Sequence, residues 1–279
     1  MSSLLGVAIV AALVSFLTGI VASRVGRRTG FKVPRKLGIH RPPVSTLGGV
    51  GFLCGLYVGL LIASYSAQQD RFLTAGEMQF RTCGVGLAIL LMFLWGLWLD
   101  WRPPKSHRWW LLIGQMLSGA VLFAFGFQIR ELSLGTWTFS TRIFSFPLTL
   151  LWIAVMINFL RFFDGIDGLF AAVGFAIVLV HLLGIGEMEY YVRVLCAVFG
   201  GSLVGLFFVT LYPARVYLGY NGSSLPGICL AALTLASRFK TVTTQTIFVP
   251  VAVLLVIAAF GLLLFVESRI LIRRGRAQL

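Results

Sequence analysis

Charge is what this sequence has least of. Only 11% of its 279 residues are Asp, Glu, Lys or Arg, while 58% are hydrophobic and the mean hydropathy is +0.94. That excludes a soluble domain, in which about a quarter of the residues are charged. Acids are the scarcest class, nine against 23 Lys and Arg. Histidine occurs only at His40, His107 and His181, and the four cysteines, Cys54, Cys83, Cys196 and Cys229, lie inside apolar runs without metal-ligand spacing. Neither a zinc site nor a disulfide framework can be argued from such spacing, and the cysteines read as small buried hydrophobes. Internal repeats and mid-membrane acids are missing as well, which sets aside a transporter or channel of the inverted-repeat kind.

What is present is a succession of apolar stretches near residues 4 to 23, 46 to 66, 82 to 99, 109 to 127, 147 to 163, 168 to 185, 191 to 211, 223 to 237 and 246 to 267. Most approach the roughly 20 residues that cross a bilayer as a helix. The expectation is an all-α polytopic membrane protein of about nine to ten transmembrane helices, forming one domain over residues 1–279. The 223 to 237 stretch is short and carries Pro226 and Gly227, so a broken or half-inserted helix is expected there. The first stretch has no basic residue before it and Arg24, Arg27 and Arg28 after it, the reverse of a cleaved signal; it reads as a span. Between 127 and 146, polar and apolar residues alternate around Gly135, the pattern of a small β-hairpin.

The net charge is +14, and its distribution orients the chain. With the N-terminus outside, most Lys and Arg fall in inward segments, so N-out, C-in is expected from the basic bias of short loops. Contact with anionic headgroups accounts for most of these cations, and no nucleic-acid partner is expected. Trp95, Trp98, Trp101, Trp109 and Trp110 cluster where an interfacial tryptophan belt belongs.

The acids on the inner side stand apart. Asp100, Asp164 and Asp167 all sit at inner ends of apolar segments, beside basic loops. An ionisable group near membrane depth is costly and by default a candidate for function. Four inner segments share this character: "KVPRKLGIHRPPVSTLGGVGFL", "LWLDWRPPKSHRWW", "NFLRFFDGIDGL" and "YLGYNGSSLPG". Gly48 and Gly49 at a helix start either let a phosphate approach the backbone or pack two membrane helices closely. Carboxylates among cations fit a divalent ion bridging acids to phosphate oxygens, since magnesium takes a few carboxylates plus substrate phosphate. Asp164 and Asp167, three apart, face one way on a helix or a glycine-hinged turn. The competing reading of Asp-Gly twice is a turn with self-bonded side chains. His181 reads as a hydrogen-bonded core histidine, and His40 and His107 as loop histidines able to meet phosphate.

These four segments, in order, resemble the polyprenyl-phosphate N-acetylhexosamine-1-phosphate transferases. "NFLRFFDGIDGL" resembles that family's DGxDGL signature, "HRPPVSTLGGVGF" its first cytoplasmic loop, "LWLDWRPPKSHRWWLLIGQ" its paired-aspartate segment with Gln115, and "YLGYNGSSLPG" its Gly-Asp-x-Gly-Ser segment. The resemblance implies catalytic loops on the cytoplasmic face of a bacterial inner membrane. It also implies transfer of a sugar-1-phosphate from a UDP-sugar to polyprenyl phosphate, with Mg²⁺, for cell-envelope polysaccharide or peptidoglycan synthesis. Asp100 is then expected to assist the lipid phosphate. Asp164 and Asp167 would act in catalysis and, with Asn221, hold the metal. Lys36, His40, Gly48, Gly49, Lys105, Arg108, Asn158, Arg161, Asn221 and Ser223 would bind substrate, and a membrane homodimer fits.

The sequence departs from the family pattern at several of these positions. Trp101 stands where the pair's second aspartate would be, Tyr220 where the Gly-Asp segment has its acid, and Arg161 where the signature has a second asparagine. The family's histidine-rich final loop is also absent, since no histidine follows His181. The alternative expectation is therefore a catalytically silent member that binds polyprenyl phosphate or partners an active enzyme.

Overall fold

The structure is a computed structural model that describes residues 2–29, 32–33, 44–65, 74–101, 107–134, 137–141, 143–164, 168–183, 190–211 and 215–236. Among these it holds nine helices: α1 Ser2–Thr29, α2 Gly48–Tyr65, α3 Ala75–Trp101, α4 His107–Ala124, α5 Ser145–Arg161, α6 Leu169–Leu183, α7 Tyr190–Thr210, α8 Gly219–Ser223 and α9 Leu225–Ala236. All nine belong to one compact unit, Met1–Leu132 with Phe139–Arg238. The helices coincide with eight of the nine apolar stretches; the stretch from 246 to 267 lies outside the described residues. Leu4–Thr29, Gly76–Trp101 and Tyr190–Thr210 are long and apolar enough to cross a membrane, and Gly48–Ser64, Trp109–Ala124, Ser145–Arg161 and Leu169–Leu182 are shorter apolar helices. The chain is thus a multi-pass, helical membrane protein.

Two minor sheets complete it. β1 Lys32–Val33 pairs antiparallel with β2 Val44–Ser45. β3 Glu131–Leu134 and β4 Trp137–Ser140 form a second two-stranded sheet, the hairpin that the alternation around Gly135 predicts.

Small residues let the long helices approach closely. A methyl group at Gly51 of α2 would meet the Cα of Gly19 in α1 at 2.8 Å, and one at Gly55 the Ala11 carbonyl at 2.6 Å. Gly201 and Gly205 of α7 lie against the Ala8 and Ala12 carbonyls of α1. With no hydrophobic force between helices in lipid, such contacts and interhelical hydrogen bonds supply the association; buried Ser15 of α1 donates to the Ser202 carbonyl of α7 at 2.9 Å. Thr74 and Glu77 close a capping box at the start of α3, Thr74 N–H to Glu77 Oε2 at 2.9 Å and Glu77 N–H to Thr74 Oγ1 at 3.3 Å.

α8 and α9 give the broken helix expected from Pro226 and Gly227. The 12 residues of α9 are about 18 Å long at 1.5 Å each, too short for a hydrocarbon core of about 30 Å. Pro226 sits in the first turn, where a missing N–H costs nothing. Nearly every residue of α9 is buried. Gly227 lies where a methyl would be 2.5 Å from Ile157 Cα of α5, and Trp152 of α5 donates its indole N–H to Thr234 Oγ1 at 2.9 Å. A short buried helix of this kind places α8, just before it, inside the bundle.

Candidate active site

The described parts of these four segments meet at the end of the bundle where α1, α3, α5 and α7 finish. Their meeting point is α8. Tyr217 N–H donates to the Ser45 carbonyl at 2.8 Å and Gly48 N–H to the Tyr217 carbonyl at 3.0 Å, tying the strand before α2 to the strand before α8. Ser45 Oγ in turn donates to Ala22 of α1 at 3.2 Å. Gly219 turns the chain into α8 with φ +61°, and a side chain there would also strike Asp100 Oδ2 at 2.8 Å, so glycine answers two demands at once.

Gly48 and Gly49 do what their packing reading predicts. A methyl at Gly48 would be 2.7 Å from the Tyr217 carbonyl oxygen, and at Gly49 2.5 Å from both Asn221 Oδ1 and Gly222 Cα. Gly96, which the sequence reading passed over, makes the same contact from α3, with Asn221 Cα and the Tyr220 carbonyl 2.5 Å from its would-be methyl. The glycine one turn before Asp100, and the glycines flanking Tyr220 and Asn221, were the signal available for this crossing.

Asp100, at the end of α3, holds α8 by its N-terminus. Its Oδ1 accepts the Tyr220 N–H at 2.9 Å, and its Oδ2 accepts the Asn221 N–H at 3.0 Å together with an Asn221 amide hydrogen. Asn221 gives its other amide hydrogen to the Thr46 carbonyl at 2.9 Å. Two acceptors on one side fix which end of the amide is nitrogen. Asn221 Oδ1 therefore points at Gly49, buried and without a hydrogen bond. The residue expected as a metal ligand and substrate contact is thus a strut between α2, α3 and α8.

Asn158, exposed one turn before the end of α5, and the buried Gln115 of α4 form a second strut. Asn158 donates to Gln115 Oε1 at 2.9 Å and to the Ala154 carbonyl at 2.8 Å, and Gln115, fully buried, donates back at 3.4 Å. Three residues further along α5, the Arg161 guanidinium lies 5.6 Å from the centre of the Tyr220 ring, a cation–π distance. The groups acting on it electrostatically are Asp164, Tyr220 and Asp100. Asp164 follows on the turn after α5, where burial pushes its carboxyl up to about 6 against the ordinary 3.8, the Arg161 cation opposing. Ser223 faces Asp164 closely enough to favour its anion, yet its Oγ closes no hydrogen bond. Lys36, His40, Lys105 and Asp167 lie outside the described residues, and of Arg108 only the backbone, in the first turn of α4, is described. Trp101 is two-thirds exposed at the end of α3.

Magnesium, implied by the resemblance, does not fit the described donors. Both Asp100 oxygens are occupied by N–H groups, and the Asn221 amide oxygen faces a gap too small for a methyl group. Tyr220 brings a ring that already faces a cation. Among the described residues no three His, Cys, Asp or Glu side chains gather as a metal would require.

Residues 82–238 match the family model described as glycosyl transferase family 4. The chain is 26% identical over 256 residues to a protein of Bacillus subtilis named probable undecaprenyl-phosphate N-acetylglucosaminyl 1-phosphate transferase, covering 88% of this chain and 67% of that one. It is 27% identical over 235 residues to the decaprenyl-phosphate N-acetylglucosaminephosphotransferase of Mycobacterium leprae, 78% of this chain and 56% of that one. With the phospho-N-acetylmuramoyl-pentapeptide-transferase of Lactiplantibacillus plantarum it shares 27% over 204 residues, 68% of this chain and 60% of that one. The chain thus spans between a little over half and two thirds of the length of these relatives. The matched region runs from within α3 to just beyond α9, more than half of the 279 residues, and includes Asp100, Asn158, Arg161, Asp164 and α8; the chain belongs to glycosyl transferase family 4.

Proposed function

We propose that this protein transfers an N-acetylhexosamine-1-phosphate from a UDP-sugar to a polyprenyl phosphate in a bacterial inner membrane. In this reaction an oxygen of the lipid phosphate attacks the phosphorus that bears the sugar. The bond from that phosphorus to UMP breaks, leaving UMP and a diphosphate-linked lipid for cell-envelope polysaccharide or peptidoglycan synthesis. The orientation is N-out, C-in, with nine to ten spans once the stretch beyond α9 is counted, and the site faces the cytoplasm.

One observation carries the reading. Four segments distant in sequence meet at one end of an apolar bundle and bring two aspartates, an arginine and the start of a buried helix together. Phosphoryl transfer is mainly positioning and charge stabilisation, and this end of the bundle offers both beside the lipid. Asp164, Arg161 and Ser223 are the groups turned toward one another around the substrate phosphates. Asp100 and Asn221 position α8 rather than touch the reacting atoms. Asp167, Lys36, His40, Lys105 and Arg108 complete the proposed phosphate contacts.

The test is UMP release by purified protein given polyprenyl phosphate and either UDP-GlcNAc or UDP-MurNAc-pentapeptide. Release with one of them, lost in Asp164→Asn, supports the transferase and names its sugar. Absence of UMP with both, at any metal concentration, refutes it. A second reading, a silent member that binds polyprenyl phosphate or partners an active enzyme, is favoured by one feature: both Asp100 oxygens are engaged in holding the start of α8. That reading expects polyprenyl phosphate to bind without UMP release.

A further inference from the structure

Arg161 is an unusual residue to find where it is. It ends α5 inside the bundle, its guanidinium over the Tyr220 ring, with Asp164 and Asp100 as its charged neighbours. Among the described residues none accepts a hydrogen bond from it, and its Nε–H is buried and unfilled. A partly buried cation is costly without compensation, and two neighbouring carboxylates offset that cost here. Arginine, unlike lysine, keeps its charge in any protein environment and carries five donors in a planar fork that matches phosphate oxygens.

The surrounding side chains leave little for a divalent ion to do. Both Asp100 oxygens already accept N–H donors from α8, and the Asn221 oxygen is wedged against Gly49. Among the described residues, a cation that offsets one of the two carboxylates is already covalently part of the chain. Unfilled donors on a permanent cation point to an acceptor from outside, and an oxyanion suits the fork.

We propose that Arg161 is the resident counter-cation of this site, offsetting part of the charge of Asp100 and Asp164 and donating to a phosphate oxygen of the ligand, so that phosphate-ester binding here needs no divalent ion. The ligand is a phosphate ester in either case; whether it is the sugar nucleotide or the lipid phosphate is for the experiment to say. The identity of these two probes rests on the transferase reading.

The experiment measures binding of UDP-GlcNAc and, separately, of farnesyl phosphate to the full chain in detergent, with EDTA and with saturating magnesium. The expected result is binding of at least one probe whose Kd changes less than about threefold between the two conditions, and the probe that binds names the source of the phosphate. Arg161→Asn weakens that probe about ten- to hundredfold in EDTA, the range of a charge-assisted hydrogen bond, and magnesium restores part of the loss. Arg161→Lys, which keeps the charge without the fork, falls between. Manganese followed by electron paramagnetic resonance adds a readout independent of ligand: the native chain shows no saturable site and Arg161→Asn gains one. Thermal unfolding of both variants near the native midpoint shows that they fold; if Arg161→Asn does not fold, the native chain and Arg161→Lys decide. Tenfold tighter binding with magnesium, a saturable manganese site in the native chain, or no binding of either probe in EDTA overturns the proposal. Transfer that requires magnesium overturns it while leaving the transferase standing. Metal-free binding without UMP release does the opposite.

Discussion

Replacing Asp100 by alanine removes the acceptor of three N–H bonds in one step. Two of these donors, Tyr220 N–H and Asn221 N–H at 2.9 and 3.0 Å, belong to the first turn of α8, where backbone donors have no partner within the helix. A carboxylate there also meets the positive end of the helix dipole. Each buried donor left without an acceptor costs about 1–3 kcal/mol, so the three together loosen α8 by about 4 kcal/mol or more. At 1.4 kcal/mol per factor of ten, that is roughly three orders of magnitude in the local opening equilibrium. Hydrogen exchange read by mass spectrometry on a peptide spanning 217–225 measures it. In Asp100→Ala the Tyr220 and Asn221 amides exchange about a hundred- to a thousandfold faster than in the native chain. Asp100→Asn, which keeps one carbonyl acceptor, loses about half as much on the logarithmic scale. The α1 and α7 amides, bound by their own packing, stay as they were. If the α8 amides of Asp100→Ala keep their protection within about threefold, Asp100 is not the anchor of this helix and the positioning role assigned to it is wrong.

Gly49→Ala puts a methyl 2.5 Å from Gly222 Cα and Asn221 Oδ1 and lowers the thermal midpoint by an amount equivalent to about 1–3 kcal/mol of overpacking, whereas Gly76→Ala, with nothing within 4 Å, raises it slightly through helix propensity; equal shifts would refute the crossing at Gly49. Asn158→Leu leaves the buried Gln115 amide without its partner and costs about 1–3 kcal/mol, whereas Gln115→Leu costs less, because the exposed Asn158 keeps the Ala154 carbonyl and meets solvent, and the double variant costs less than their sum; an unfolding cycle that comes out additive would show that the two amides do not act as a pair. Asp164 titrates near 6 in the folded chain against an ordinary 3.8, so the folded state holds its proton more firmly. The corresponding stability, about 3 kcal/mol at most, is fully present below pH 4 and is lost as pH rises through about 6. Thermal unfolding between pH 5 and 7 therefore falls with pH in the native chain more steeply than in Asp164→Asn, and parallel curves would refute that assignment.

The helices were legible because their signal is a property of runs. Apolar stretches of about 20 residues have few alternatives in a bilayer, and the broken helix at Pro226 and Gly227 was legible for a local reason, since proline cannot continue an interior turn. The hairpin near Gly135 followed from period-two alternation. The roles inside the site were harder, because they depend on which partner arrives from elsewhere. Asp100 stands out in the sequence as an acid at the end of an apolar run, but its backbone partners are two N–H groups 120 and 121 residues further on. Asn221 offered an amide oxygen in sequence; in space its nitrogen meets the two acceptors. Gly96 looked like any glycine of a membrane helix, and only its crossing with Tyr220 and Asn221 gives it a task.

The departures at residues 161 and 220 make most sense taken as one change. Tyr220 links both: its backbone N–H binds Asp100 and its ring carries the Arg161 cation. With Arg161 in place, Asp100, Asp164 and the arginine sum to one negative charge, so that the chain itself offsets half the charge of these two acids. An acid at 220 would remove the ring that supports the guanidinium and raise the total to two negative charges in a partly buried place, where uncompensated charge is costly. A cation would then have to come from solvent. The reverse holds at 161: a neutral side chain there leaves Asp100 and Asp164 without their counter-charge while Tyr220 offers none. Either substitution alone raises this group to two negative charges, and a tyrosine at 220 with an arginine at 161 keeps it at one without an ion.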